Sequence, residues 1–294
     1  QSLITGLIHI CVRRLSKNEL MPQANAIMGA VLQVLQSPGS AAHEESFNIM
    51  GFMAAALEKD FKPYVEYSNQ SILRGLQNIH DVAVCRTAVS AVGDIVESQG
   101  VDFEAFAEQI MQCFVELLKN SEVDRKIKPL VFSKISDIAL AIEGNFQKYA
   151  PLVLHIIVHA SRTPMPNNDG GEDSEDLCAH ITELRESILE AYTGILLGLK
   201  DGNKQDFIIG VYDDIMAFIQ LCVHDAKRLN MMTTIKRVIA LLGDLGECFG
   251  VRVRTVLEDP LVQEMLDFAV KDSNMREDAL FTIQVRDRLR NIQQ

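Results

Sequence analysis

One spacing constrains this chain more than any other feature. Phe61-Lys62-Pro63-Tyr64 recurs as Phe103-Glu104-Ala105-Phe106 and again as Phe146-Gln147-Lys148-Tyr149, with the leading Phe residues 42 and 43 positions apart. A second landmark keeps the same step. Val92-Gly93-Asp94-Ile95 is followed 43 residues later by Ile135-Ser136-Asp137-Ile138, Gly51 precedes Gly93 by 42, and Leu242-Gly243-Asp244-Leu245 returns further on. A fixed period of this length marks a repeat architecture. No single unit can bury its own apolar face, so stacked neighbours must share one continuous core.

Each period holds two amphipathic helices. In 81–98, Val84, Ala88, Val92 and Ile95 fall at spacings of three and four, the pattern of one helix face. In 103–119, Phe103, Phe106, Ile110, Phe114 and Leu117 do the same, while Glu104, Glu108, Gln112 and Glu116 take the other face. Ala88, Ser90, Ala91 and Gly93 keep the first helix slim, which allows close packing. Pro22, Pro63, Pro151 and Pro260 fall near the starts of second helices, where a missing N–H costs little. No strand alternation persists. The predicted pairs are 2–15 with 20–36, 42–58 with 62–78, 81–98 with 103–119, 122–144 with 147–160, 176–199 with 205–224, and 228–248 with 252–269, closed by a last helix over 274–291. The expected fold is all-α: one superhelical solenoid over residues 1–294, with first helices convex and second helices concave. Residues 161–175, SRTPMPNNDGGEDSE, break the period and read as a mobile acidic loop inserted between repeats.

Charge and composition exclude several function classes. A formal net charge of −12 is unsuited to nucleic acid, whose phosphates need a basic patch, and suits a basic partner. No apolar run reaches the roughly 18 residues of a membrane span. The six cysteines (Cys11, Cys85, Cys113, Cys178, Cys222 and Cys248) are scattered and mostly lie in apolar helical patterns. They read as buried reduced thiols in a cytosolic or nuclear protein. Gln1-Ser2-Leu3-Ile4 has neither an initiator Met nor a basic leader and opens inside a helical pattern, so the chain is expected to be part of a longer protein. No phosphate loop, Ser-His-Asp pattern or HExxH motif occurs, and no catalytic residue, cofactor or metal is expected. His155 and His159, at i and i+4 with Cys178 and His180 beyond the loop, have the spacing of a metal pair but read as core or interface histidines.

The period and the Gly-Asp landmarks, with Pro129 inside a first helix, resemble a HEAT repeat. Three stretches carry a closer resemblance, to the importin-beta (karyopherin-beta) family: 75–97, GLQNIHDVAVCRTAVSAVGDIVE; 128–149, KPLVFSKISDIALAIEGNFQKY; and 183–200, ELRESILEAYTGILLGLK. Their order, spacing and inserted loop agree with the C-terminal part of that family's array, ending at or near its C-terminus. The resemblance implies a non-enzymatic nuclear transport receptor of cytoplasm, nucleus and nuclear pore. Its implied partners are a basic helix of importin-alpha on the concave face, Phe-Gly nucleoporins in convex slots, cargo proteins, and the Ran GTPase, mostly through parts of the family's array outside this chain. Neither nucleic acid nor membrane is implied. A structural HEAT scaffold of another complex is the alternative, and it lacks the 183–200 stretch.

Candidate residues follow from the two faces. On the second helices Glu66, Glu108, Glu116, Asp213, Asp214, Glu258, Asp259, Glu264 and Asp267 form a ladder of carboxylates for Lys and Arg. The competing reading is an ordinary solvated face. On the first helices Phe47, Met50, Phe52, Val89, Val92, Val96, Phe132 and Ile135 are candidate walls of Phe-Gly grooves, against a competing reading as core. The loop acids Asp169, Glu172, Asp173, Glu175 and Asp176 could attract a basic segment or simply solvate a connector. Some members of the family have a partner-stacking Trp in the last helix; this chain has none, and Gln284 falls near that place, followed by Arg286, Arg288 and Arg290.

Overall fold

Apolar residues at spacings of three and four dictate helices, and helices are what the chain forms. The structure, a computed structural model, describes residues 2–37, 39, 41–166, 171–229 and 231–292; no strand occurs among them. The chain divides into two compact units, Gln1–Ile142 and Glu143–Gln294.

The first unit contains α1 (Ser2–Val12), α2 (Ala24–Gln36), α3 (His43–Leu57), α4 (Lys62–Gln77), α5 (Val82–Gln99), α6 (Glu104–Lys119) and α7 (Ile127–Ile142). The first helices α1, α3, α5 and α7 stack in one layer, and α2, α4 and α6 form the second. Each second helix also packs closely on the first helix of the following pair. The second unit contains α8 (Ala150–Ser161), α9 (Glu172–Asp201), α10 (Tyr212–Leu229), α11 (Met232–Phe249), α12 (Pro260–Ala269) and α13 (Arg276–Asn291). Here α9, α11 and α13 stack together, and α8, α10 and α12 make up the second layer.

The two sequence landmarks have distinct physical jobs. The aromatic landmark closes a short 3₁₀ turn that links a first helix to its second helix, as in Glu58–Phe61 and Gly100–Phe103. Its leading Phe is buried at 61, 103 and 146. The second aromatic starts the next helix and contacts the first ring: the centroids are 5.5 Å apart for Phe61–Tyr64, 6.5 Å for Phe103–Phe106 and 5.8 Å for Phe146–Tyr149. Each such turn opens on one unusual backbone conformation. Glu58 (φ 52°, ψ −129°), Gly100 (φ 55°, ψ −133°) and Gly250 (φ 57°, ψ −126°) share it, and Glu143 has φ 50°. Glycine adopts this region freely, whereas glutamate is strained there.

The Gly-Asp landmark sits where first helices cross. A methyl group at Gly51 of α3 would collide with the carboxylate of Asp94 in α5. At Gly243 of α11 a Cβ would lie 2.6 Å from Oγ1 of Thr282 in α13, and that buried hydroxyl donates to the Ile239 carbonyl at 2.9 Å. The landmark aspartates are therefore half enclosed between helices. Burial raises the Asp94 carboxyl, with Lys134 pulling against it. Burial pushes Asp244 up to about 6; Lys200 opposes this, and Asp278 and Glu247 add to it.

Several expected boundaries move, each for a local reason. The helix predicted from 122 begins at Ile127, because Asn120 and Asp124 accept backbone N–H bonds from Glu122 and Lys126, both at 2.8 Å. Such side-chain turns compete with helix formation. The helix predicted over 252–269 is split into Arg254–Leu257 and Pro260–Ala269, since proline clashes with a continuing helix. The inserted loop is shorter than expected: α8 ends at Ser161 and α9 starts at Glu172. Four of the loop acids (Glu172, Asp173, Glu175 and Asp176) thus belong to the first turns of α9, where the helix dipole favours them. Asp169 lies outside the described residues. Arg162 and Thr163 are tied down: Arg162 donates to Asp214 at 3.0 Å, and the Thr163 carbonyl accepts from Arg185 at 3.4 Å.

One polar contact is deeply enclosed. Arg185 of α9 donates to Asp225 of α10 at 2.6 Å, and their side chains are only 2% and 7% exposed. Burial opposes the charge on Asp225, but Arg185, aided by His224 and Arg228, holds its carboxyl below the usual range.

Candidate binding surface

The second-helix layers carry the acids that the sequence singles out. In the first unit Glu66 of α4, and Glu108 and Glu116 of α6, are exposed. Their neighbours form a cross-repeat polar ladder: Tyr64 donates to Asn25 and Asn69 to Gln109, both at 2.7 Å. This ladder fixes the spacing of adjacent second helices and so of the acids they bear. It was not read from the sequence, although the step of 39 and 40 residues between the partners is there to be found.

In the second unit the six predicted acids separate by what they already hold. Asp213 and Asp267 are exposed on α10 and α12. Asp214 is paired with Arg162 at 3.0 Å. Glu258 holds both Arg254 and Arg290 at 3.2 Å. Burial works against the Glu258 charge, but the two guanidinium groups outweigh it and hold its carboxyl low. Asp259 caps α12, accepting from the Leu261 N–H at 2.8 Å. Glu264 is exposed on the rim of an apolar groove. The expected uniform ladder is thus a mixed one, because Arg162, Arg254 and Arg290 take part of its charge. The Arg254–Glu258 pair was legible as an i,i+4 spacing; Arg290, 32 residues from its partner, was not.

The last helix spends its arginines in the same way. Arg286 donates to Gln263 and lies 2.8 Å from Asp287, and Arg288 reaches Glu247 at 2.6 Å. Gln284 is exposed.

The candidate groove walls on the first helices need correction. Phe47, Met50, Val89, Val92, Val96, Phe132 and Ile135 are all at most 2% exposed. They fill the space between stacked helices, so their surface is already used by the core. Phe52 alone of the eight reaches the surface, with His9 stacked on it at 5.0 Å and Arg13 over the ring at 5.3 Å. Other exposed apolar side chains of this layer, which the pattern did not single out, are Ile10 of α1, Leu140 of α7, Leu177 of α9, and Leu280 and Phe281 of α13.

His155 and His159 are exposed on α8 rather than packed in the core. No group of three or more potential ligands is found among the described residues. The thiols divide as well. Cys85, Cys113 and Cys222 are buried, Cys178 and Cys248 are half-buried, and Cys11 is exposed. Burial pushes Cys85 up to about 11 and Cys222 up to about 12. Among the described residues no helix is long and apolar enough to cross a membrane.

Comparison with known proteins agrees with this geometry. The family described as importin subunit beta-1-like, TPR repeats, matches residues 1–269. Importin subunit beta-1 of Arabidopsis thaliana is 29% identical over 262 residues, covering 88% of this chain and 30% of that relative. The chain therefore spans less than a third of the length of that curated relative. Yeast importin-beta (Kap95p) superposes with a TM-score of 0.86 at 24% identity, over 99% of this chain and 34% of that one. Kap95 in a Kap95:Nup1 complex gives 0.86 at 24% identity, over the same 99% and 34%. Kap95p described as inducing the switch loops of RanGDP to adopt the GTP-bound conformation gives 0.84 at 24% identity, over 98% and 33%. These structures share the repeat fold described above.

Proposed function

This chain belongs to the importin subunit beta-1-like family, and from that premise we propose that it is the part of a nuclear import receptor that holds a basic helix of importin-alpha on its second-helix layer. The observation that carries the reading is the exposure of Glu66, Glu108, Glu116, Asp213, Glu264 and Asp267 on second helices, in a chain of net charge −12. Such surfaces, one in each unit, attract Lys- and Arg-rich segments over a distance and bind them through many weak pairs. The chain acts by binding, without a reaction of its own, and moves with cargo between cytoplasm and nucleus through the nuclear pore.

Phe-Gly nucleoporins are the second proposed partner, on the first-helix side. Kap95 is found in a complex with Nup1, and half-buried Phe52 with exposed Leu140, Leu280 and Phe281 offers apolar surface there. The groove walls proposed from sequence are replaced by these residues. Ran is proposed as the regulator of the whole receptor, since the related Kap95p acts on the switch loops of RanGDP.

The test is a side-by-side pull-down with the importin-alpha basic segment and with a Phe-Gly peptide. Both should be retained, the first lost in high salt and the second not. Retention of neither would remove the transport-receptor reading for this part of the chain.

A further inference from the structure

A recess in the first unit returns with the repeat, as the aromatic turns do. Where α2 and α4 end and α3 and α5 begin, a cavity of about 260 Å³ is bordered by Leu35, Gln36, Ser71, Arg74 and Asn78. One repeat further on, a cavity of about 150 Å³ is bordered by Leu76, Gln77, Cys113, Glu116 and Asn120. The five positions correspond in order, each pair 41 or 42 residues apart. The same recess is thus built twice with one reversal of charge, Arg74 standing where its repeat-mate has Glu116. Arg74 is exposed on α4, and its Nη2 donates to the Ser71 hydroxyl at 3.2 Å. Among the described residues no carboxylate pairs with it. His43, the other titratable group on the border, donates from Nε2 to the Val34 and Ser37 carbonyls at 3.2 and 2.9 Å, which caps the end of α2. The Asp81 carboxylate is committed to α5, where it accepts from the Val84 N–H at 3.1 Å. Leu35 and Val84, both almost enclosed, form an apolar floor.

We propose that the Arg74 recess holds the C-terminal carboxylate of a partner peptide, with an apolar last side chain against Leu35 and Val84. A guanidinium matches a carboxylate with two parallel N–H bonds. The Ser71 hydroxyl, accepting from the same guanidinium, keeps it aimed, and the Gln36 and Asn78 amides add donors at the border. A cavity of about 150 Å³ holds benzene, so this larger one has room for a carboxylate and one aliphatic side chain. No acid borders it. The ammonium of a free amino acid is therefore left unpaired there, whereas a chain terminus brings a neutral amide to that place. The Glu116 recess repels the same ligand. A net charge of −12 slows the capture of an anion, so binding depends on contacts inside the recess. The occupant carries the charge opposite to that of the basic helix proposed above, and either partner stands without the other.

Three N-acetylated tripeptides test it on the full chain: Gly-Gly-Leu with a free carboxylate, the same peptide as its carboxamide, and Gly-Gly-Gly with a free carboxylate. Methyl resonances of Leu35 and Val84 report the Arg74 recess, and those of Leu76 and Ile79 report the Glu116 recess. The Leu acid should bind at least about tenfold tighter than the Leu amide, a factor that one charge-assisted hydrogen bond suffices to give. It should bind more tightly than the Gly acid as well, and should shift Leu35 and Val84 but not Ile79. Arg74→Glu, which gives this recess the charge of its repeat-mate, should abolish the preference for the acid while the helical spectrum stays unchanged, because the side chain is exposed. Arg74→Gln should abolish it without reversing the charge. Equal binding of acid and amide, or a preference that survives both variants, would overturn carboxylate recognition by Arg74. Equal binding of the Leu and Gly acids would overturn the apolar floor, and shifts centred on Ile79 would overturn the site. Binding of none of the three peptides at millimolar concentration would overturn the proposal and leave the basic-helix reading untouched.

Discussion

Substitution at the recurring turn gives opposite outcomes at two positions that share a positive φ. At Gly250 (φ 57°, ψ −126°) the nearest atom to an added Cβ is Leu289 Cδ2 at 3.9 Å, so alanine fits sterically. The cost of Gly250→Ala is then backbone strain alone, about 1–3 kcal/mol. Glu143, at φ 50°, already bears that strain. Glu143→Gly should release it, less the roughly 0.5–1 kcal/mol of extra chain entropy that glycine brings to the unfolded state. The net gain is about 0–2.5 kcal/mol. For a unit of this size each kcal/mol moves the midpoint by about 2–4 °C. Thermal unfolding monitored by circular dichroism reads both changes, with hydrogen exchange of α11 and α12 localising the Gly250 effect and that of α7 and α8 the Glu143 effect. A neutral Gly250→Ala, or a destabilising Glu143→Gly, would refute the claim that the turn stores strain wherever it lacks glycine.

Other outcomes follow from the same structure. Asp225→Ala leaves Arg185 buried without its carboxylate and should destabilise the chain by about 3–5 kcal/mol, measured by urea denaturation. Asp244, with its carboxyl raised to about 6 from 3.8, binds its proton more tightly folded than unfolded, so stability falls as pH rises through roughly 4 to 6. Asp244→Asn should therefore be more stable than the unaltered chain at pH 7, by about 1–2 kcal/mol for a half-enclosed group, and no more stable at pH 4; thermal melts at the two pH values check this. In thiol titration of the native protein Cys11 should react fast, while Cys85 and Cys222 should react only on unfolding, because burial raises their pKa values. Rapid labelling of Cys222 at neutral pH would contradict the packing of α10.

The fold was legible because repetition prints the same physical demand several times. Phe61, Phe103 and Phe146 must each plug the end of a helix pair, and the 42- and 43-residue steps between them mark the pairs directly. The strained turn just before each Phe was hidden, since Glu58 and Glu143 stand where Gly100 and Gly250 show the need for positive φ. The first-helix candidates failed for a related reason. An apolar stripe such as Val89, Val92 and Val96 reads the same whether it faces a neighbouring helix or an open groove, and stacked repeats cover both sides of the slim first helix. Of the acids, exposure on second helices was readable, whereas their pairing with Arg162 and Arg290 depends on residues distant in the chain.

The central claim is that the acidic second-helix surfaces bind a basic helix through their exposed carboxylates. Titration calorimetry with the importin-alpha basic segment tests it, on the unaltered chain and on a fourfold reversal, Glu66→Lys, Glu116→Lys, Asp213→Lys and Asp267→Lys, at two salt concentrations. Exposed pairs contribute about 0.2–1 kcal/mol each, so the reversal should cost about 1–4 kcal/mol at low salt. Screening over about 8–10 Å should shrink that difference at high salt, where the unaltered chain binds more weakly. Equal affinities in all four combinations would show that these carboxylates only solvate the helices, and the claim would fail.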